Sequence, residues 1–484
     1  MFMLKRTAWL VAGLCASPAY AAMTIQPDPQ NSGGYVIAAS DIAAVEKAKT
    51  ANPMYGIWSK ALATRPNILV DAIVPRRADN PDNVKRVERV FSESDWDFLT
   101  QMAAPEYTYE RFLRAVGKFP AFCGDYTDGR NADAICKKSI VTAFAHFAHF
   151  AQETGGHIAR ENVSDNPLGL EEWQQALVHV REMGWAEGQL GYTTGCGQND
   201  WQNRKWPCST GQGYFGRGAK QLSYHFNYGA FSEAMFDGNA TVLLNNPGLV
   251  ADSWLNLASA IWFFLTPQAP KPAMLHVIDR TWVPSQRELA AGIGYGFGTT
   301  INVINGGIEC GEQNKNKGQP VNRIRYWEGL AAHYGIPLLP DEKNTCWQQT
   351  PYGSLNLNGA TDVLYTNWDG NWKYYADRPG GYSFECELVG FQTAYSALVP
   401  GDYEKCVTNV YGSHASWPKV RVVAKLDPAP VDPTDPPVGD VPAWEASKVY
   451  TAGNKVSHKG VIYQAKWWTQ GNEPGKGDPW APVN

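Results

Sequence analysis

Hydrophobic residues at helical spacing dominate the middle of this chain. In "ADAICKKSIVTAFAHFAHFAQ", which starts at residue 132, Ile140, Phe144, Phe147 and Ala151 fall on one helix face. The Gly155-Gly156 pair that follows is a typical helix end. "LNLASAIWFFLTP" and "RIRYWEGLAAHYG" repeat the same periodicity. The pattern therefore predicts a mainly helical domain over residues 131–340.

The pattern changes near the C-terminal end. Residues 426–442, "LDPAPVDPTDPPVGDVP", are rich in Pro and Asp and read as an extended linker. Residues 443–484 carry short alternating runs separated by Gly and Asn, which predicts a small three-strand β unit. Residues 22–90 and 350–425 show no readable motif, and we expect either extensions packed on the main domain or small separate modules.

The first 21 residues have the features of a secretory signal peptide. Lys5 and Arg6 precede a short apolar run, and Ala19-Tyr20-Ala21 is a small-x-small cleavage signal. The run is too short to span a bilayer, and no later run is long enough either, so we expect no membrane attachment. The expected location of the mature protein is extracellular.

Charge and composition limit the classes of partner that this chain is expected to bind. Removal of residues 1–21 would change the formal net charge from −5 to −7, which argues against nucleic acid as a partner. Aromatic residues make up 12% of the chain, with 19 Trp. They favour either a large aromatic core or surfaces on which sugar rings stack.

Eight cysteines remain outside the predicted signal peptide, as four pairs of close neighbours. An exported protein favours their oxidation, and sequential pairing is the simplest arrangement. The predicted disulfides are Cys123–Cys136, Cys196–Cys208, Cys310–Cys346 and Cys386–Cys406.

The stretch "AHFAHFAQETGGH", residues 145–157, holds three histidines and Glu153. The spacing of His146, His149 and Glu153 can bring metal ligands to one helix face. However, the H-E-x-x-H pattern is absent, and the histidines stand between phenylalanines. We therefore expect packing histidines, no metal and no cofactor.

Glu153 has a second interpretation, as a general acid. It falls in the last predicted helical turn, where the helix dipole and apolar neighbours would both raise the pKa of its carboxyl group. A proton donor at neutral pH needs such a shift. Position alone would equally fit an exposed glutamate at a helix end.

The downstream segments decide between these interpretations. After "FAQETGG" come "WPCSTGQGYFGRGAKQLSYHFNYG" (206–229), "LLNNPGLV" (243–250), "IWFFLTPQAPKP" (261–272) and "INVINGGIECG" (301–311). From about residue 107 to about residue 346, the chain resembles the family 19 chitinases. The resemblance implies a mainly α (α+β), lysozyme-like catalytic domain with a cleft. It also implies endo-hydrolysis of β-1,4-linked N-acetylglucosamine with inversion.

The resemblance also implies roles for particular residues. Glu153 corresponds to the family's general acid, and Glu182 of "REMG" to its general base, with Glu171, Glu172 and Glu187 as rivals. Ser223 is expected to help hold the attacking water. Two departures, Gln152 in place of a histidine and "ETGG" in place of "ETTGG", remove no group that the chemistry requires.

Further residues match family positions that contact sugar. The matched polar and basic residues are Gln221, Asn227, Lys271, Asn305 and Arg323. Trp206 and Tyr214 are candidate stacking rings. Arg323 is also expected to pair with a carboxylate such as Glu309 and so to lower the pKa of the base.

The tail resembles the small chitin-binding modules of bacterial chitinases, of carbohydrate-binding family 5/12 type. The match falls on Trp467 and Trp468 of "KWWTQG" and on Trp444. Some of these rings are expected to bind polysaccharide, and Trp444 with one of the pair could instead form the core of the module.

Together these features predict a secreted, monomeric endochitinase that binds chitin. Alternatives are a peptidoglycan-cleaving hydrolase of the same fold and a non-catalytic chitin-binding protein. The predicted domains are a signal peptide (1–21), an extension (22–90), the catalytic domain (91–349), a second extension (350–425), the linker (426–442) and the binding module (443–484).

Overall fold

The computed structural model describes residues 23–143, 146–198, 200–358, 360–413, 417–426 and 441–483. They form two compact units, residues 46–410 and a second unit that combines residues 23–45 with residues from 411 onward. The predicted signal peptide and nearly all of the predicted linker lie outside the described residues. Within those residues, no helix combines the length and apolar character needed to cross a membrane.

Helices are the main regular elements of the larger unit. In chain order the helices are α1 (Ala39–Lys49), α2 (Pro53–Ala61), α3 (Asn67–Asp71), α4 (Asp82–Val90), α5 (Glu93–Leu99), α6 (Tyr109–Lys118), α7 (Ala132–Ala143), α8 (His146–Thr154), α9 (Trp201–Lys205), α10 (His225–Met235), α11 (Thr241–Asn245), α12 (Leu249–Asp252), α13 (Leu255–Leu265), α14 (Met274–Ile278), α15 (Gln286–Ala290), α16 (Phe297–Glu309), α17 (Gly318–Tyr334) and α18 (Asp402–Ser413).

The strands form three small sheets. β1 (Ile25–Pro27) and β6 (Val420–Val423) flank β2 (Tyr35–Ala38), antiparallel and parallel to it, respectively. β4 (Cys386–Val389) and β5 (Tyr395–Ser396) both pair antiparallel with β3 (Asn367–Gly370). β7 (Lys455–His458), β8 (Val461–Ala465) and β9 (Trp480–Pro482) form an antiparallel sheet.

The helical periodicity corresponds to the buried core. Ile140 of α7 and Ala151 of α8 are each only 1% exposed. The side chains of Phe144 and Phe147 lie outside the described residues. Helix α8 ends one residue before Gly155, where a Cβ atom would lie 2.2 Å from the Ala151 carbonyl oxygen. Only glycine fits at that position.

Both unassigned extensions contribute to the larger unit. Tyr55 and Trp58 of α2 pack with Leu398 in an apolar cluster, and the Tyr55 hydroxyl donates to the Tyr365 carbonyl at 2.8 Å. Residues 46–90 and 350–410 are therefore packed against each other in the same compact unit as the central helices.

A buried lysine fastens the N-terminal extension to the central helices. Lys118 is 0% exposed, and its Nζ donates to the Arg65 carbonyl at 2.9 Å, the Asn67 Oδ1 at 2.7 Å and the Met235 carbonyl at 3.1 Å. Because a buried ammonium must be hydrogen-bonded to be tolerated, these three oxygens keep the segment around Asn67 in place.

All four predicted disulfides are present. The bonds are Cys123–Cys136, Cys196–Cys208, Cys310–Cys346 and Cys386–Cys406. The three-strand unit predicted for the tail is also present, around a core of Tyr450, Val456, Ala465 and Trp480. The predicted mainly α fold with a small all-β C-terminal module is confirmed.

Candidate active site

Glu153 lies at the C-terminal end of α8 and faces a buried arginine of α17. The Arg323 Nη2 atom donates to the Glu153 Oε1 at 2.5 Å. The Arg323 side chain is 2% exposed, whereas that of Glu153 is 29% exposed. One carboxylate oxygen of Glu153 therefore accepts a hydrogen bond from a buried cation, while part of the side chain is exposed to solvent.

This pairing reverses the predicted pKa shift of Glu153. Burial raises the pKa of its carboxyl group, but Arg323, Lys220 and His157 together outweigh burial and bring the pKa below its usual value. The prediction of a raised pKa is wrong for the free protein, because it considered the helix end and apolar neighbours and not the cations of distant segments.

The Arg323 guanidinium contacts three side chains, those of Glu153, Glu309 and His149. Besides Glu153, its Nε and Nη2 atoms donate to the two carboxylate oxygens of Glu309 at 2.8 and 3.0 Å. The predicted pairing of Arg323 with Glu309 is confirmed, but the carboxyl group whose pKa Arg323 lowers is Glu153, the candidate acid, rather than the base.

The rest of this buried network fixes the tautomer of His149. Arg323 Nη1 lies 2.9 Å from His149 Nδ1, and because arginine only donates, Nδ1 must accept. The proton is then on Nε2, which lies 3.3 Å from Thr300 Oγ1. His149 is 1% exposed, stacks on Phe297 and behaves as the packing histidine that the sequence predicted.

A break in α16 positions Asn305. Its φ of −146° interrupts the helix, and its Nδ2 donates to Glu309 Oε1 at 2.9 Å. Asn305 therefore takes part in the same network as Arg323, and its side chain orients the fully buried Glu309 carboxylate.

Lys220 is a site residue that the sequence analysis missed. Its charge acts on Glu153, burial lowers the pKa of its ammonium group, and its Nζ lies 4.4 Å from the centre of the Phe263 ring. Lys271, which was predicted, donates to the Val303 carbonyl at 3.0 Å, and burial and Lys220 lower its pKa. A lysine inside "GRGAKQLS" was the available signal.

Glu182, the candidate base, has different partners. The Tyr192 hydroxyl donates to its Oε1 at 2.6 Å, and the Gly216 amide donates to its Oε2 at 2.9 Å. The Glu182 amide in turn donates to the Gly216 carbonyl at 2.9 Å. Neutral donors therefore orient this carboxylate, in contrast to the cations around Glu153.

The three rival glutamates each contact an arginine. The Glu187 carboxylate accepts hydrogen bonds from Arg181 and Arg217. These bonds outweigh the effect of burial and lower the pKa of its carboxyl group. The remaining rivals, Glu171 and Glu172, contact Arg160 at 2.7 Å and Arg325 at 2.6 Å. The rival carboxylates are therefore paired with cations, whereas that of Glu182 accepts from neutral donors.

Residues 216–221 interact with both candidate carboxylates. Lys220 acts on Glu153, and a Cβ atom at Gly216 would lie 2.7 Å from Gln221 Oε1 and 3.2 Å from Glu182 Oε2. The next residues continue this arrangement, since Ser223 Oγ donates to the Gln221 carbonyl and Asn227 Nδ2 to the Ser223 carbonyl, both at 2.9 Å.

Comparison with known proteins identifies the family. A family model described as class I chitinase matches residues 99–338, and one for carbohydrate-binding module family 5/12 matches residues 443–481. Endochitinase 2 of Solanum tuberosum is 36% identical over 249 residues, which cover 51% of this chain and 68% of the relative. The chain belongs to the class I chitinase family.

A second relative is similar over the same share of the chain. Endochitinase B of Nicotiana tabacum is 36% identical over 249 residues, covering 51% of this chain and 67% of the relative. Among solved structures, chitinase C from Streptomyces griseus HUT6037 is 23% identical, covers 53% of this chain and 97% of its own, and has a TM-score of 0.37. As a member of this family, the chain is a glycoside hydrolase.

Two predicted stacking residues of the chitinase domain are corrected. Tyr214 is 0% exposed, and its hydroxyl donates to the Leu244 carbonyl at 2.9 Å. Trp206 is 4% exposed and lies so close to Gly229 that a Cβ atom there would be 2.3 Å from the ring. Both rings belong to the core, so neither offers a face to a sugar.

The carbohydrate-binding module separates its tryptophans into two kinds. Trp467 and Trp468 are 51% and 62% exposed. Trp444 packs against the core of the module and contacts the His458 ring edge to face at 5.2 Å. The structure thus favours Trp467 and Trp468 as binding rings and a packing role for Trp444.

The histidines of the 145–157 stretch are only partly described. Among the residues that the structure describes, no group of three or more His, Cys, Asp or Glu side chains could hold a metal ion. The side chain of His146 lies outside those residues.

Proposed function

We propose that this chain is an exported endochitinase that hydrolyses β-1,4-linked N-acetylglucosamine polymers with inversion. The observation that carries the proposal is the contrast between the surroundings of two candidate carboxylates. Glu153 faces Arg323 and Lys220, whereas Glu182 is oriented by Tyr192 and the Gly216 amide. Inverting hydrolysis needs two carboxylates with different tasks.

In this mechanism Glu153 is the general acid. Its lowered pKa leaves it ionised in the free enzyme at neutral pH. A bound sugar would cover the 29% of the side chain that is exposed, and loss of water raises the pKa of a carboxyl group. Glu153 then takes up a proton and transfers it to the glycosidic oxygen as the bond to the anomeric carbon breaks.

Glu182 is the general base. A water molecule attacks the anomeric carbon from the face opposite to the leaving sugar and gives its proton to Glu182. The hydrogen bonds from Tyr192 and Gly216 hold the carboxylate in one orientation for that transfer. Ser223, which follows residues 216–221, is proposed to form a second hydrogen bond to this water.

Substrate binding is proposed for Gln221, Asn227, Lys271 and Asn305. Gln221 lies beside Glu182, and Asn227 donates to the Ser223 carbonyl, so both lie in or next to the segment 216–223. In the module, Trp467 and Trp468 present rings on which a neutral polysaccharide can stack. A tether between the catalytic domain and the module raises the local enzyme concentration on an insoluble polymer.

Export is supported by two features of the sequence and structure. The first 21 residues have the pattern of a signal peptide, and four disulfides fit an oxidising compartment.

Substitution separates the two carboxylates from their rivals. We expect Glu153→Gln and Glu182→Gln to lose at least about 100-fold in kcat on chitin oligosaccharides, the lower range for one acid–base group. Glu187→Gln is the matched control from the same loop. If Glu187→Gln is crippling while Glu182→Gln is active, the base is assigned wrongly.

Proton NMR of the first products tests the stereochemistry. We expect the α-anomer from a chitin oligosaccharide before mutarotation, because a single displacement inverts the β-linkage. Initial release of the β-anomer would refute the mechanism. Release of sugars from peptidoglycan and not from chitin would refute the proposal that chitin is the substrate.

A further inference from the structure

The C-terminal extension of the larger unit exposes two aromatic rings far along the chain from the candidate active site. Trp372 is 54% exposed and Tyr374 is 78% exposed. These values match the 51% and 62% of Trp467 and Trp468 in the binding module. Exposed aromatic rings present flat apolar faces on which the C–H faces of sugar rings can stack.

Each of the two rings lies directly against a glycine. A Cβ atom at Gly370 would be 2.6 Å from Trp372 Cζ2, and one at Gly381 would be 2.0 Å from Tyr374 Cε2. Any side chain at either glycine would displace the ring. The absence of side chains there lets both rings rest on the backbone, which limits their motion while leaving much of each ring in solvent.

The segment that carries the rings is fixed at both ends. The Asn371 amide donates to the Glu385 carbonyl at 3.0 Å, and the Tyr375 amide donates to the Gly381 carbonyl at 2.9 Å. We call residues 371–385 the aromatic hairpin. β4 follows it directly and begins at Cys386, which is bonded to Cys406 of α18. A surface held in this way loses little conformational entropy on binding.

The polar surroundings suit a neutral polymer. Between the rings, Lys373 is 73% exposed and its Nζ lies 3.5 Å from Glu387 Oε2, so its charge has a nearby counter-ion. At the other end, Arg378 pairs with Glu385 at 2.7 Å. Paired charges around two exposed rings fit an uncharged ligand that offers C–H faces and hydroxyl groups.

We propose that Trp372 and Tyr374 of the aromatic hairpin form a second sugar-binding surface, made of residues other than those of the candidate active site and of the module. Its ligand is a chain of β-1,4-linked N-acetylglucosamine at the surface of the insoluble polymer. This inference rests on the proposed function for the identity of the sugar. The surface would hold the catalytic unit itself on the polymer.

Binding to insoluble chitin powder tests the proposal. All variants are full-length chains with Glu153→Gln, so that the polymer is not degraded. In a background that also carries Trp467→Ala and Trp468→Ala, adding Trp372→Ala and Tyr374→Ala should weaken binding at least about tenfold, because one of several linked contacts is lost. The conservative pair Trp372→Tyr and Tyr374→Phe should retain most of the binding.

Phe391→Ala is the matched control. Phe391 lies on the same extension and is 59% exposed, so its loss should leave the isotherm unchanged. Thermal unfolding of each variant tests whether the hairpin remains folded. An isotherm that does not change on Trp372→Ala and Tyr374→Ala overturns the proposal. So does a shift in sedimentation with unchanged chitin binding, which would assign the rings to a contact between copies.

A separate measurement distinguishes failure of this inference from failure of the proposed function. If the unsubstituted chain neither binds chitin nor releases sugars from chitin oligosaccharides, the proposed function is wrong and the ligand assigned to the hairpin falls with it. If the unsubstituted chain does both and the hairpin variants bind like their parent, only the second surface is wrong.

Discussion

The buried ion pair between Arg323 and Glu309 makes a quantitative prediction about stability. Arg323 is 2% exposed and Glu309 is 0% exposed, and the pair is bidentate. In Arg323→Met, a side chain of similar length removes the cation. The Glu309 carboxylate would then retain Asn305 as its hydrogen-bond donor and lose both bonds from the guanidinium.

The expected cost follows from the burial of that carboxylate. Breaking a buried ion pair by removing one partner costs about 3–5 kcal/mol, because the remaining charge is left without compensation. An unfolding entropy of about 2.1 cal/mol/K per residue, over the roughly 365 residues of the larger unit, gives about 0.8 kcal/mol/K. The unfolding midpoint of that unit should therefore fall by about 4–7 °C.

Scanning calorimetry at pH 7 measures this shift, and Arg325→Met is the control. Arg325 lies on the same helix, is 55% exposed and pairs with Glu172 at 2.6 Å. A surface pair contributes about 0–1 kcal/mol, so its loss should lower the midpoint by at most about 1 °C. If the two variants unfold at the same temperature, the reasoning about Arg323 is refuted.

A double variant separates charge from packing. In Arg323→Met combined with Glu309→Met, the fully buried Glu309 carboxylate is no longer left without its cation, and apolar replacement of a buried pair is often neutral for stability. Most of the lost stability should return. Activity should not, because Glu153 would still lack the Nη2 contact that orients it. Recovery of activity along with stability would show that Arg323 is only structural.

Three further predictions follow from single contacts. Tyr192→Phe removes a hydrogen bond to Glu182, which corresponds to about 10- to 100-fold in kcat for a bond to a charged group. Lys220→Met removes a cation, so the pKa of Glu153 should rise and its carbon-13 NMR titration should move to higher pH. Lys118→Met leaves three oxygens without their donor and should destabilise the protein by about 2–3 kcal/mol in thermal unfolding.

Each of these has a specific contradiction. Tyr224→Phe, a neighbouring ring substitution, should leave kcat near the parent value, and an equal loss in both variants would remove the special role of Tyr192. Lys315→Met, on the surface beside Glu312, should not move the Glu153 titration. Unchanged stability of Lys118→Met would mean that the N-terminal extension is held by other contacts.

Local patterns explain why much of the fold could be predicted. Helix periodicity identified the buried positions Ile140 and Ala151, and Gly155 marked the end of α8, because these features depend on neighbours within one turn. Sequential cysteine pairs were also predictable, since short separations along the chain make pairing easy. The extensions were not, because their packing depends on contacts such as that between Tyr55 and Tyr365, 310 residues apart.

The site shows a similar division between position and environment. Family motifs placed Glu153 and Glu182, yet the pKa shift of Glu153 was predicted with the wrong sign. That sign depends on Arg323, 170 positions away in the chain, and on Lys220. Trp206 and Tyr214 were misjudged for a related reason, since an aromatic residue in a sugar-binding motif looks the same in sequence whether it is exposed or buried.

The departure at Gln152 illustrates how the acid can keep an electrostatic partner when its sequence neighbour changes. His149 precedes Glu153 by four residues, so both side chains lie on one face of α8. Both contact the same guanidinium, His149 through Nδ1 at 2.9 Å and Glu153 through Oε1 at 2.5 Å. Because a neutral imidazole accepts from Arg323, it orients the guanidinium without competing for its charge. The helix face, rather than the residue next to Glu153, therefore supplies the second contact to its arginine partner.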